Sequence, residues 1–152
     1  MHTVRKNNSI VKEANILVYA EDQDILWKYR NMLNEIETKS PCRICITLTG
    51  SLQTALSLSS FLQGGIDVYL SDSNQRDDLA ILVENKIRNK YPECHCIQRK
   101  DNSYIHKHVS CMKSRKTLCR IITKGELENT ILKILVDLSM LVEEEIEGDK
   151  SR

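Results

Sequence analysis

The sequence predicts an α/β protein: a doubly wound sheet of five parallel strands with helices on both faces. Two observations carry this. Apolar runs of strand length alternate along the chain with amphipathic runs of helical period. The strand-like runs are also nearly continuous in apolar residues instead of alternating, as parallel strands covered on both faces are. Right-handed crossovers then place helices on both sides of the sheet.

Each element follows in order. Residues 1–14 read as a polar N-terminal leader, 15–142 as the domain and 143–152 as an acidic tail. NILVYA is the first strand, and EDQDILWKYRNMLNEIE the first helix, with Ile25 or Leu26, Tyr29, Leu33 and Ile36 on one face. CRICITLT is the second strand, followed by the helix SLQTALSLSSFLQ and the stop signal Gly64-Gly65. IDVYLSD is the third strand and DDLAILVENKIRNK the third helix, with Asp77 or Asp78 near its N-terminus. After Pro92, ECHCIQ is the fourth strand, SYIHKHVSCM a helix with Ile105, Val109 and Met112 at helical spacing, and TLCRIIT the fifth strand. ELENTILKILVDLSMLVEEEIE is a long amphipathic last helix.

Composition narrows the class. A chain of 152 residues, 41% apolar and 28% charged, fits one globular domain with a single core. No apolar run reaches the roughly 18 residues of a membrane span, and the basic N-terminus lacks the apolar centre of a signal peptide. A cytoplasmic protein away from membranes is expected, with its six cysteines reduced. The net charge of +1 hides asymmetry. Residues 99–124 hold eight Lys or Arg against one acid, Asp101, whereas residues 125–152 hold eight acids against three bases.

Residues 64–75, GGIDVYLSDSNQ, end an apolar run at Asp72 without turn punctuation. In an open parallel sheet the site lies beyond the carboxyl ends of the strands. Three such ends carry chemistry: Glu21 and Asp22 after the first, Asp72 at the third, Lys124 at the fifth. Clustered carboxylates repel one another unless a cation is present, and few oxygen ligands suit Mg²⁺. Such a metal could neutralise an incoming phosphoryl group while Asp72 attacks as nucleophile and Lys124 pairs with its oxygens.

ILVYAEDQDIL, DVYLSDSN and IITKGELENTILKIL, in that order, resemble the first, third and fifth strand ends of the receiver domain of bacterial response regulators, a flavodoxin-like fold. The resemblance covers about residues 15–141. It implies that Asp72 is the phosphoacceptor, that Glu21, Asp22, Asp72 and the backbone carbonyl of Asn74 hold Mg²⁺, and that Lys124 binds the phosphate. The chain departs from the family at the switch positions. Gln98 or Arg99 stands where a Ser or Thr is usual, with Ser103 the nearest hydroxyl, and Ile121 replaces the aromatic residue three before the lysine. Gly125 replaces the usual following proline.

Two functions follow as expectations, neither enzymatic. One is a phosphorelay switch in two-component signalling, loaded by a histidine kinase or phosphotransfer protein and read by a downstream protein at the fourth-helix to fifth-helix face. The other is a phosphorylation-independent pseudo-receiver that binds a protein partner or pairs with itself, since the opposed charges of residues 99–152 also suit a homodimer. Nucleic acid is disfavoured, because Tyr104 is the only aromatic residue in the basic run. A phosphoaspartate hydrolase would need a substrate-binding cap that the chain does not supply. Cys42, Cys45, Cys94, Cys96, Cys111, His95, His106 and His108 invite a zinc reading, against which stands the ordinary one of buried core thiols. Cys42 and Cys45 lie in a strand-like run, where residues three apart face opposite sides.

Overall fold

The computed structural model describes residues 3–6, 9–62, 64–72, 78–109 and 119–150. Seven strands form one mixed sheet: β1 (Thr3–Lys6), β2 (Ser9–Ala20), β3 (Arg43–Thr49), β4 (Val68–Asp72), β5 (His95–Lys100), β6 (Ser103–Lys107) and β7 (Cys119–Ile121). Four helices cover it among the described residues: α1 (Gln23–Lys39), α2 (Leu52–Phe61), α3 (Asp78–Lys90) and α4 (Lys124–Lys150).

The parallel heart matches the expectation. β3 and β4 flank β2, and β5 lies beyond β4, all parallel. The five-stranded all-parallel arrangement does not hold, for two reasons. Residues expected as a leader form β1 and the start of β2, an antiparallel pair in register Thr3↔Lys12 to Lys6↔Ser9. Lys6 anchors this pair by donating to the main-chain oxygens of Glu37, Ser40 and Cys42 at 2.6, 2.6 and 3.0 Å, which satisfies acceptors where α1 ends. The stretch expected as a fourth helix contains β6 instead, folded back antiparallel on β5 and followed by antiparallel β7. The cause is a two-residue turn at Asp101 and Asn102: Lys100 pairs with Ser103, and Asp101 takes a φ of 57°. Such hairpin turns need positive φ, which Asp and Asn tolerate better than most residues. The remainder of that stretch, residues 110–118, lies outside the described residues.

The helices start where their caps stand. The Asp22 carboxylate accepts the Asp24 amide at 2.8 Å and opens α1; Ser51 caps α2. At α4 the Thr123 hydroxyl accepts the Glu126 amide at 3.1 Å, while the Glu126 carboxylate reaches back to the Ile122 amide at 3.0 Å. α4 thus begins at Lys124 and runs through Lys150, so residues 143–150 of the segment set apart as an acidic tail continue the helix.

Two apolar layers sandwich the sheet. On one face Ile16, Val18, Leu70 and Ile97 meet Leu33 and Ile36 of α1 and Leu127, Ile131 and Leu135 of α4. On the other, Leu17, Tyr19 and Tyr69 meet Ala55 of α2 and Val83 and Ile87 of α3. Strand alternation divides the residues this way, and it decides which side chains can reach the site. No helix among the described residues is long and apolar enough to cross a membrane.

Candidate functional site

Asp72 ends β4 with its side chain on the α1 and α4 face, 4% exposed. Parallel register sets Arg99 of β5 directly beside it. One guanidinium nitrogen of Arg99, Nη1, lies 3.1 Å from each carboxylate oxygen. From α1, the Tyr29 hydroxyl donates to Oδ2 at 2.6 Å. Tyr29 has one hydroxyl proton, so in its 3.1 Å contact with Tyr104 of β6 it is Tyr104 that donates. A chain therefore runs from Tyr104 to Tyr29 to Asp72, ending on a carboxylate already paired with a cation.

The electrostatics agree with this geometry. Burial, then the bond to Asp72, pushes the Tyr29 phenol far above its ordinary range, so it stays a donor. The bond to Asp72 also holds Arg99 more firmly protonated. A cavity of about 380 Å³ opens over the group, lined by Lys28, Tyr29, Asp72, Arg99, Tyr104 and Lys124 with apolar neighbours from α1 and α4.

The expected site residues are placed as follows. Lys124, in the first turn of α4, shares the cavity with Asp72 but forms no ion pair with it among the described residues. One carboxylate oxygen of Asp22 caps α1. Glu21 accepts the Tyr19 hydroxyl at 3.3 Å, and Tyr19 packs on the α2 and α3 face, away from Asp72. Asn74 lies outside the described residues. Gln98 pairs with Ser71, one position short of Asp72 and on the opposite face. Of the two residues expected at the switch position, Arg99 is the one set beside Asp72. Ser103 bonds the Lys100 carbonyl in the hairpin turn, and Ile121 is buried on β7 opposite Tyr104.

The residues expected to hold Mg²⁺ make other contacts in this arrangement. Arg99 supplies positive charge at both oxygens of Asp72, while one carboxylate oxygen of Asp22 accepts the Asp24 amide and one of Glu21 accepts the Tyr19 hydroxyl. Among the described residues no three His, Cys, Asp or Glu side chains form a ready metal cage. Sequence reasoning missed Tyr29 as more than a core residue, and it did not give Tyr104 a role. Tyr29 was placed on the inward face of α1; only the strand pairing shows that this face meets Asp72.

Five cysteines lie among the described residues and none is in a disulfide. Cys42 is buried with its thiol on the Leu135 carbonyl, whereas Cys45 is exposed, so the two do not converge. Burial raises both thiols above their ordinary range.

No protein-family model matches this chain, and no curated protein matches it. Among solved structures it is similar to a crystal structure described as "Putative pilus assembly-related protein" from Burkholderia pseudomallei, at 15% identity and a TM-score of 0.54, over 80% of this chain and 89% of that one. The likeness is one of fold.

Proposed function

We propose that this chain is a receiver-like module that acts by binding other proteins without phosphotransfer. The observation that carries this reading is the Arg99 guanidinium set on both oxygens of Asp72. A carboxylate that is to attack phosphorus must present a lone pair to it and gather a metal around the developing charge. Here the charge of Asp72 is matched from within, and Tyr29 occupies Oδ2 as well. The group works as a polar staple joining β4, β5, α1 and β6. The description of the structural neighbour as pilus assembly-related is compatible with an assembly role of this kind.

The presence of Lys124 in the same cavity favours a second reading, the phosphorylated switch that a histidine kinase or phosphotransfer partner would load with Mg²⁺ present. Intact mass after incubation with acetyl phosphate and Mg²⁺ separates the two. The binding-module reading expects native protein to stay unmodified while a responsive receiver domain in the same tube is labelled. A single phosphoryl adduct on native protein that vanishes in Asp72→Asn would establish the switch instead.

A further inference from the structure

The cavity of about 380 Å³ over Asp72 holds more positive charge than the staple uses. Three cationic side chains line it from three elements: Lys28 of α1, Arg99 of β5 and Lys124 of α4. Asp72 is the one carboxylate in the lining, so two positive charges are in excess. Lys28 and Lys124 make no hydrogen bond or ion pair among the described residues. Arg99 carries five N–H donors in a planar fork. Its Nη1 serves Asp72 and its Nε serves the Asp101 carbonyl at 3.3 Å, which leaves the donors of Nη2 without a partner among the described residues.

We propose that this cavity binds a small organic dianion with a short apolar body, a phosphate monoester or a dicarboxylate, through Lys28, Arg99 and Lys124. The ligand binds intact and forms no bond to Asp72, and in that respect the inference rests on the binding-module reading.

Three features support it. First, cations that converge on a concave site with apolar walls repel one another and focus a positive potential into it, and an anion between them relieves the repulsion. Second, the carboxylate that would turn an anion away is already matched. Arg99 lies on both oxygens of Asp72 and Tyr29 donates to Oδ2, while the guanidinium fork has a further edge with which to grip an incoming acid group. Third, Ile25, Met32 and Leu127 also line the cavity, the last two buried. Its volume is at the low end for small-molecule sites, which suits a body of about one ring. An inorganic anion would leave that apolar wall wet, so the apolar body adds affinity.

The test is a titration of the full native chain with phenyl phosphate, in chelator and without Mg²⁺, followed by its amide and guanidinium NMR signals. Inorganic phosphate and phthalate are the comparison probes. The expected result is one saturable site with Kd below about 1 mM. The shifts centre on Lys28, Arg99 and the first turn of α4, and binding weakens as salt rises. Inorganic phosphate binds at least about threefold more weakly because it lacks the ring. Lys28→Met and Lys124→Met keep the apolar stem and each weaken phenyl phosphate at least about threefold. Phenyl phosphate ahead of phthalate assigns a phosphate monoester, and the reverse order a dicarboxylate. No saturable shift with any probe, shifts scattered over surface lysines, or affinity unchanged in both variants overturns the proposal. Both lysines are exposed, so the variants should fold; if one does not, the shift map of native protein decides. Failure here is distinct from failure of the binding-module reading, which only an adduct formed with acetyl phosphate and Mg²⁺ overturns.

Discussion

Replacing Arg99 by Met keeps the length and the apolar stem of the side chain but removes the cation from Asp72. Unit charges about 4 Å apart at an effective dielectric near 20 attract by about 4 kcal/mol. Part of that is returned when the guanidinium no longer has to shed water, and Arg99 is 29% exposed against 4% for Asp72, so screening discounts the pair further. The expected loss is about 2 kcal/mol, below the 3–5 kcal/mol typical of breaking a fully buried pair. With a urea dependence of about 2 kcal/mol per molar, the unfolding midpoint falls by about 1 M. The assay is urea unfolding followed by far-ultraviolet circular dichroism at pH 7.5. It is run on native protein, Arg99→Met, Asp72→Asn and the double variant. A large part of the loss should vanish in the Asp72→Asn background, giving a coupling of at least about 1 kcal/mol. A loss under about 0.5 kcal/mol, or equal losses in both backgrounds, refutes the internal pairing and with it the ground for reading Asp72 as a staple.

Tyr29→Phe removes the donor to Asp72 and should cost about 1–2 kcal/mol, with Tyr104→Phe costing less because its hydroxyl only supports Tyr29; paired urea curves rank the two. Acidification tests the stacked cluster of His95, His106 and His108. Burial, then neighbouring imidazoles, lowers His95 to about 3, and burial, then His108, lowers His106 to about 4. Below the unfolded value near 6.5 the unfolded chain takes up protons that the folded chain refuses, so stability falls with pH. Between pH 7.5 and 5 the loss is on the order of 2 kcal/mol for His95 and less for the more screened His106. His95→Gln should flatten that slope, and an unchanged slope contradicts the assignment. Gly65 has φ +82°, and a Cβ there would lie 3.2 Å from the Tyr91 ring, so Gly65→Ala should cost at least about 1 kcal/mol in the same unfolding assay; a neutral result would mean the turn relaxes.

The sequence made the parallel heart of the fold legible because burial on both faces leaves unbroken apolar runs, as in residues 68–70, and because α1 keeps Leu26, Tyr29, Leu33 and Ile36 at helical spacing. It hid β6 because SYIHK carries one fully apolar residue, and Ile105, Val109 and Met112 fit a helical period by coincidence. The Asp101-Asn102 pair between two strand-length runs was the local signal for a hairpin. β1 was hidden for a different reason. Edge strands bury little, and Thr3–Lys6 alternates exposed with half-buried positions, so its composition is that of a tail. Asp72 was legible as a buried strand-end acid. Its partners were not, because Arg99, Tyr29 and Tyr104 come from three elements separated by up to 75 residues and meet only once register is fixed.

The hairpin that the periodicity hid also decides the chemistry of the site. In an all-parallel sheet the strand leading to Lys124 would pair directly with β5. Here β6 stands between β5 and β7, which moves the approach to Lys124 outward by one strand spacing of about 4.8 Å. The same insertion places Tyr104 opposite Arg99, and through Tyr104 it reaches Tyr29 and Asp72. Arg99, from the strand adjacent to β4, therefore supplies the cation on the Asp72 carboxylate while Lys124 lines the same cavity without pairing with Asp72 among the described residues. One antiparallel strand thus goes with an Asp72 carboxylate that is paired with Arg99 and occupied by Tyr29. At the opposite end of the same two strands, it brings His106 and His108 against His95. Both clusters depend on the β5–β6 register. A substitution that shifts it by one residue, as loss of the positive φ at Asp101 invites, would turn both sets of side chains to the wrong face together.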